Sequence, residues 1–325
     1  MNVASDRLAR LRRRGGAFVV DGFFAGISAA GRLLPQARPE RHGVSVHRDV
    51  PYLPTGLPEH RCDIYVPPAA HPAPWPVLLY VHGGGFRKLS KDSHWLMGIA
   101  FARQGYLVYN ISYRLAPRHP YPAAIEDACA AYLHMIRTAA EYGGDPARVA
   151  VAGESAGGNL ASGIALAACY RRREPWAAAV FEAGVAPRAV IAACAMLQVS
   201  DPARHGRKRP LSPWVQDRFD EVADEYLGHA LEGAAPGALD LADPLLVFER
   251  GDPPERPLPP FFAPVGTADL LLHDTRRLRA ALHRMGVVCE ARYYEGEVHA
   301  FQAFIWRKNA QRCWRDMFRF LREWV

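Results

Sequence analysis

Short apolar runs alternate with longer amphipathic ones along the 325 residues of this chain. Val44–Val50 and Arg61–Val66 read as early strands, edged by the proline-rich stretches 51–58 and 67–76. Val77–Val81 is a continuous apolar run of the length of a buried strand. A helix is predicted over Trp95–Gln104 and a strand over Tyr106–Ser112. Tyr121–Ala128 opens a helix reaching about Tyr142, with Pro122 in its first turn, where a missing N–H costs nothing. Arg148–Ala152 reads as a strand, followed by a helix running to about Arg172. Ala189–Val199 is apolar enough for a buried strand, and Phe261–Gly266 and Glu290–Tyr294 are the last two. Helices over Thr275–Met285 and Gln311–Trp324 complete the pattern. Strands that alternate with helices predict an α/β fold, a doubly wound and mostly parallel sheet in a single domain spanning 1–325.

Two stretches break this rhythm. Ser200–Ala242 is polar and helix-like and is inserted between two strands, which marks it as functional rather than a slack connection. It carries Trp214 and Tyr226, and Val215, Phe219 and Val222 recur at helical spacing. The other stretch is Met1–Leu34. Its basic cluster Arg10–Arg14 and apolar run Phe18–Phe24 imitate a signal peptide, but Asp21 and several glycines interrupt the run. An amphipathic accessory helix is the favoured reading, and the two stretches (about 1–45 and 200–242) are expected to form a cap. The N-terminal run is too short to span a bilayer and no other stretch is long enough, so a cytoplasmic protein with no stable membrane insertion is expected.

With 50% hydrophobic and 22% charged residues, composition is that of an ordinary globular protein. The net charge of +7 is spread over scattered arginines without an aromatic-interleaved basic stripe, which argues against a nucleic-acid partner. The six cysteines are widely spaced, so buried reduced thiols are expected rather than disulfides or a zinc site.

Candidate chemistry concentrates in a few motifs. Gly153-Glu154-Ser155-Ala156-Gly157 is a G-x-S-x-G sequence placed between a predicted strand and a predicted helix, the context of a sharp turn that exposes a nucleophilic serine. His82-Gly83-Gly84-Gly85 follows another strand and offers side-chain-free backbone N–H groups to an oxyanion. A serine needs an adjacent base. His299, after the final strand, is the best candidate, with Asp269, after the preceding strand, to orient it. Asp274 and Asp243 are rivals to Asp269, and His82 is expected to hold its loop rather than act as a base. Gly84, Gly85 and Ala156 would supply the oxyanion hole, and no metal or cofactor is called for. Trp95 and the phenylalanines are candidate walls of an apolar acyl pocket.

From about Pro76 onward these residues resemble the hormone-sensitive-lipase-like branch of the α/β-hydrolases, the bacterial esterase and lipase group. The motifs are HGGGF (82–86), Tyr113-Arg-Leu-Ala-Pro117, GESAGGNLA (153–161), GTADLL (266–271) and HAF (299–301). The resemblance implies an eight-stranded sheet with a helical cap. It also implies cofactor-free hydrolysis of short- to medium-chain carboxylic esters through an acyl-enzyme on Ser155, His299 and Asp269. A small-molecule ester would be the partner, and a homodimer is an assembly the family analogy allows. Departures are Arg118 where an acidic residue is usual, Glu154 where Asp is commoner, Ala300 in place of Gly, and the charged run Arg87-Lys-Leu-Ser-Lys-Asp92. An arylformamidase or other amidase would use the same triad. A non-catalytic ligand-binding module of this fold, as in plant hormone receptors, is a third reading, set against the presence of His299.

Overall fold

Eight strands form one sheet in the order β1-β2-β4-β3-β5-β6-β7-β8. The computed structural model describes Gly26 and residues 35–208 and 210–325. The N-terminal part of the expected cap therefore lies largely outside the described residues. β1 (Ser45–Pro51) and β2 (Arg61–Val66) are antiparallel to their neighbours. β3 (Trp75–Val81), β4 (Leu107–Ile111), β5 (Gly144–Glu154), β6 (Ala189–Ala193), β7 (Phe261–Gly266) and β8 (Cys289–Tyr294) run parallel. The chain belongs to the doubly wound class that its alternating pattern predicts.

Central strands β4 and β6 are buried at every position, as a sheet covered on both faces requires. One layer contains α2 (Ala123–Thr138) and α3 (Ala156–Cys169), with Leu160, Ile164 and Ala165 of α3 fully buried. The other contains α1 (Trp95–Ala102) and, at the C-terminus, α9 (Lys308–Trp324), whose Cys313, Met317, Phe320 and Leu321 are buried in one stripe. α8 (Leu272–Arg284) follows β7 and precedes β8. Among the described residues no helix is long and apolar enough to cross a membrane.

Three expectations need correction. β6 ends at Ala193, not Val199, because Cys194 adopts φ +38° and turns the chain out of the sheet. Residues 195–199 stay buried as irregular backbone, so their apolar character reflects burial rather than strand. Two short helices, α4 (Pro175–Glu182) and α7 (Pro244–Arg250), were not anticipated, although each has proline in its first turn. In the insertion, α5 (Arg204–Lys208) and α6 (Pro213–Leu227) form the helical part. Phe219 and Tyr226 are buried there, whereas Trp214 is exposed, with the Arg218 guanidinium 5.9 Å from its ring.

Candidate active site

Ser155 stands between β5 and α3 with φ 55° and ψ −119°, a conformation that a residue bearing a Cβ adopts only at a cost of about 1–3 kcal/mol. The surroundings enforce it. The Ser155 amide donates to Ala193 O at 2.9 Å, and Ser155 O accepts from Met196 N at 3.1 Å and Asn159 N at 3.2 Å. A Cβ on Gly157 would lie 2.0 Å from Val81 O, so only glycine lets the elbow close this tightly against β3. The serine caps a helix of 14 residues, whose N-terminal end favours developing negative charge.

Asp269 lies in the turn after β7, its side chain 1% exposed. Its Oδ1 accepts from Leu271 N at 2.8 Å. His299 Nδ1 sits 3.0 Å from Asp269 Oδ2 and 3.2 Å from Oδ1. His299 and Ser155 line the same cavity. Burial pulls the imidazole down, but the Asp269 carboxylate, assisted by the Cys194 sulfur, outweighs it and holds His299 well above 6.5. Cys194 is itself fully buried, and its Sγ lies within 4.8 Å of ligand atoms of Asp269 and His299. This is the grouping among the described residues with the donor set of a metal site. Within it, His299 Nδ1 is hydrogen-bonded to Asp269. The rivals to Asp269 are engaged elsewhere. Asp274, on α8, binds Arg204 and the Leu197 amide, and Asp243 accepts from the amides of Val199 and Ser200.

The loop Gly83–Gly85 forms another wall. Gly84 has φ +113°, and a Cβ there would meet Lys88 O at 2.1 Å. Glu154, next to the serine, is buried and holds this loop. Its Oε1 accepts from Gly83 N at 2.6 Å and lies 2.7 Å from His94 Nε2, and its Oε2 accepts from the Tyr80 hydroxyl. Burial penalises the carboxylate, yet His94, Tyr80 and the Gly83 amide together keep it below 4.5. His94 is raised by the same pairing against its own burial. His82 is fully buried, stacked on Tyr113 at 4.2 Å, with Nδ1 2.7 Å from Gly83 O. Burial pushes it down to about 3, so it is neutral and structural. Arg118 is exposed on the surface.

The cavity, about 240 Å³, is lined by Ser155, His299, Gly83, Gly84 and Gly85 together with Leu89, Met97 and Val222. Lining it as well are the charged groups Arg87, Lys88 and Arg218. Ala156 is fully buried directly behind the serine. Trp95 and the phenylalanines do not line it; Met97, one of the next residues of α1, does. Sequence reasoning also missed Tyr80, His94, Cys194 and Arg218. None belongs to a motif, and only the tertiary fold brings them to the site.

Residues 78–303 match the family model described as the alpha/beta hydrolase fold, and the chain belongs to that family. Esterase LipU of Mycobacterium tuberculosis (strain ATCC 25618 / H37Rv) is 30% identical over 250 residues, covering 76% of this chain and 77% of that protein. Carboxylesterase NlhH of M. tuberculosis (strain CDC 1551 / Oshkosh) is 42% identical over 134 residues, covering 41% of this chain and 39% of that protein. The chain thus spans about two fifths of the length of the first curated relatives it matches. Among solved structures, one described as a bacterial heroin esterase superposes with a TM-score of 0.76 at 25% identity, covering 93% of this chain and 90% of that one. The esterase LipW of Mycobacterium marinum, at 23% identity and a TM-score of 0.70, shares the fold, covering 94% of this chain and 88% of that one.

Proposed function

We propose that the protein is a serine carboxylesterase acting on short- to medium-chain carboxylic esters. The observation that carries this reading is the convergence in one cavity of a strained Ser155 and a His299 already hydrogen-bonded to the buried Asp269. Ser155 Oγ attacks the ester carbonyl while His299 Nε2 takes its proton. Asp269 keeps Nδ1 protonated and stabilises the imidazolium. The amides of Gly84, Gly85 and Ala156 receive the oxyanion, each donor being worth on the order of 3 kcal/mol in the transition state. His299 returns the proton to the leaving alcohol, and water releases the acid from the acyl-enzyme by the same route. α6 serves as a cap, since Arg218 and Val222 on it wall the cavity, whose size suits acyl chains of about four to eight carbons. The names of the relatives support an esterase, and all six cysteines being free supports a reducing, cytoplasmic setting.

The test is turnover of 4-nitrophenyl butyrate together with labelling by a fluorophosphonate. The wild type should be active and labelled on Ser155. Ser155→Ala should fold normally, take no label and retain only about 10³–10⁴-fold catalysis over water. A variant with a tenth of the wild-type kcat would overturn the assignment.

A further inference from the structure

The charged wall of the cavity has no part in the ester chemistry. Arg87, Lys88 and Arg218 all line it, and the single lining carboxylate, Glu154, is committed to His94 and the Gly83 amide. The balancing acids are not lining residues. Glu221 Oε1 accepts from Arg87 at 2.7 Å, and Glu225 pairs with Arg87 Nε. Arg87 thus has one hydrogen bond, through Nη2, although its Nε makes none. Arg218 has none at all among the described residues. Its Nε, Nη1 and Nη2 are buried and make no hydrogen bond among the described residues. Glu221 Oε2 approaches Nη1 at 2.6 Å without the alignment of a hydrogen bond, and it too is left unsatisfied. A guanidinium so placed retains the desolvation penalty of its N–H groups. Lys88 is a further cation on the same wall. Burial lowers its ammonium, Glu221 and Glu225 oppose this, and Arg218 reinforces it.

Position gives this charge its meaning. Lys88 N donates to Gly84 O at 3.2 Å, so the lysine is built onto the loop that faces the serine. Val222 packs against Gly85, and Arg218 lies four residues earlier on α6, about one helical turn or 5.4 Å along the axis. The cations thus share with Ser155 one cavity of about 240 Å³, whose wall also carries Leu89, Met97 and Val222.

We propose that the esterase prefers substrates carrying a carboxylate a few carbons from the scissile ester, received by Arg218 and Lys88. This rests on the esterase reading above. A carboxylate gives the buried guanidinium the planar, two-oxygen acceptor that it lacks, and the lysine a second charge contact. The carboxylate belongs either to the acid half, as in a monoester of a dicarboxylic acid, or to the alcohol half.

The experiment compares kcat/KM for charged and neutral isosteres in both halves, using the full-length protein. The acid arm uses mono-4-nitrophenyl adipate against 4-nitrophenyl heptanoate. The alcohol arm uses 4-butyryloxybenzoate against its methyl ester. A preference of about tenfold or more for the anion in either arm is expected and identifies the half that carries it. Arg218→Gln should reduce that ratio about tenfold, and Arg218→Lys, which keeps the charge without the fork, should restore only part of it. Lys88→Gln should reduce it as well, and provides the answer if the arginine variants do not fold. Ratios of one or less in both arms, with neutral esters turned over, overturn the inference and leave the esterase reading standing. A preference untouched by either Gln variant overturns the assignment to these residues. No turnover of any ester, with no labelling of Ser155, overturns both readings.

Discussion

Glu154 accepts from the Gly83 amide at 2.6 Å, so the residue preceding Ser155 holds the loop that forms the neighbouring wall of the cavity. The same carboxylate receives His94 and Tyr80. Elbow and loop are fixed to each other by one buried anion, not merely packed side by side. A glutamate reaches this loop from the strand end, which gives the Glu154 departure from the family pattern a structural role.

Glu154→Ala should lower kcat about 10- to 100-fold with a smaller change in KM. Leaving the Gly83 amide and a buried His94 without their acceptor costs about 1–3 kcal/mol and lets the oxyanion donors drift. Steady-state kinetics on 4-nitrophenyl butyrate checks this. A rise in KM at constant kcat would mean that Glu154 shapes substrate binding instead.

The acidic limb of kcat/KM should lie above pH 6.5. His299 must be neutral to accept the serine proton, and Asp269 holds it protonated to higher pH than a free imidazole. Asp269→Asn removes that charge and leaves burial, which pulls the other way. The limb of the variant should therefore move to lower pH, while kcat falls by about 10⁴. A limb that stays in place in the variant would show that another group titrates.

The His94–Glu154 pair predicts a window of stability. His94 is raised in the folded state, so its contribution is whole below 6.5 and is lost as pH rises through the raised value. Glu154 is lowered, so its contribution is whole above 4.5 and is lost as pH falls through the lowered value. The Tm difference between wild type and His94→Gln should be greatest between these limits and shrink on either side, by a few degrees in all. A difference independent of pH would contradict the pairing.

Val222 should set the depth available to an acyl chain. Its Cγ2 would lie 3.2 Å from a Cβ on Gly85, which places it directly over the glycine loop. Val222→Phe should lower kcat/KM for hexanoate esters at least about tenfold more than for acetate, because only the longer chain occupies the filled space. Equal losses across chain lengths would remove α6 from the acyl pocket.

Much of this was legible before any coordinates. β2 (Arg61–Val66) and β7 (Phe261–Gly266) have the bounds that their apolar runs imply, and Ser155, Asp269 and His299 sit in the turns that their motifs imply. Periodicity and turn chemistry are local, so local reasoning recovers them. What it did not recover depends on contacts between distant residues. Residues 194–199 looked like strand because buried irregular backbone is as apolar as a buried sheet. His94 precedes a predicted helix and shows no motif, yet the fold brings it 2.7 Å from a carboxylate 60 positions on. Trp214 counted among the apolar residues of the insertion but takes the solvent side, with Arg218 against it.

Phe86 stacks on Tyr226 at 3.7 Å, and Arg87 reaches both Glu221 and Glu225. Three consecutive positions, Gly85 to Arg87, are thereby shared between the glycine loop and the helix that covers it. An outward swing of α6 would strip these positions of their partners at the moment it widened the entrance. On the esterase reading, a guest that held the helix away would also slacken the loop proposed to supply the oxyanion donors. On the esterase reading proposed above, a poorly fitting ester that displaced α6 would be left unactivated, without any residue that contacts the misfit directly.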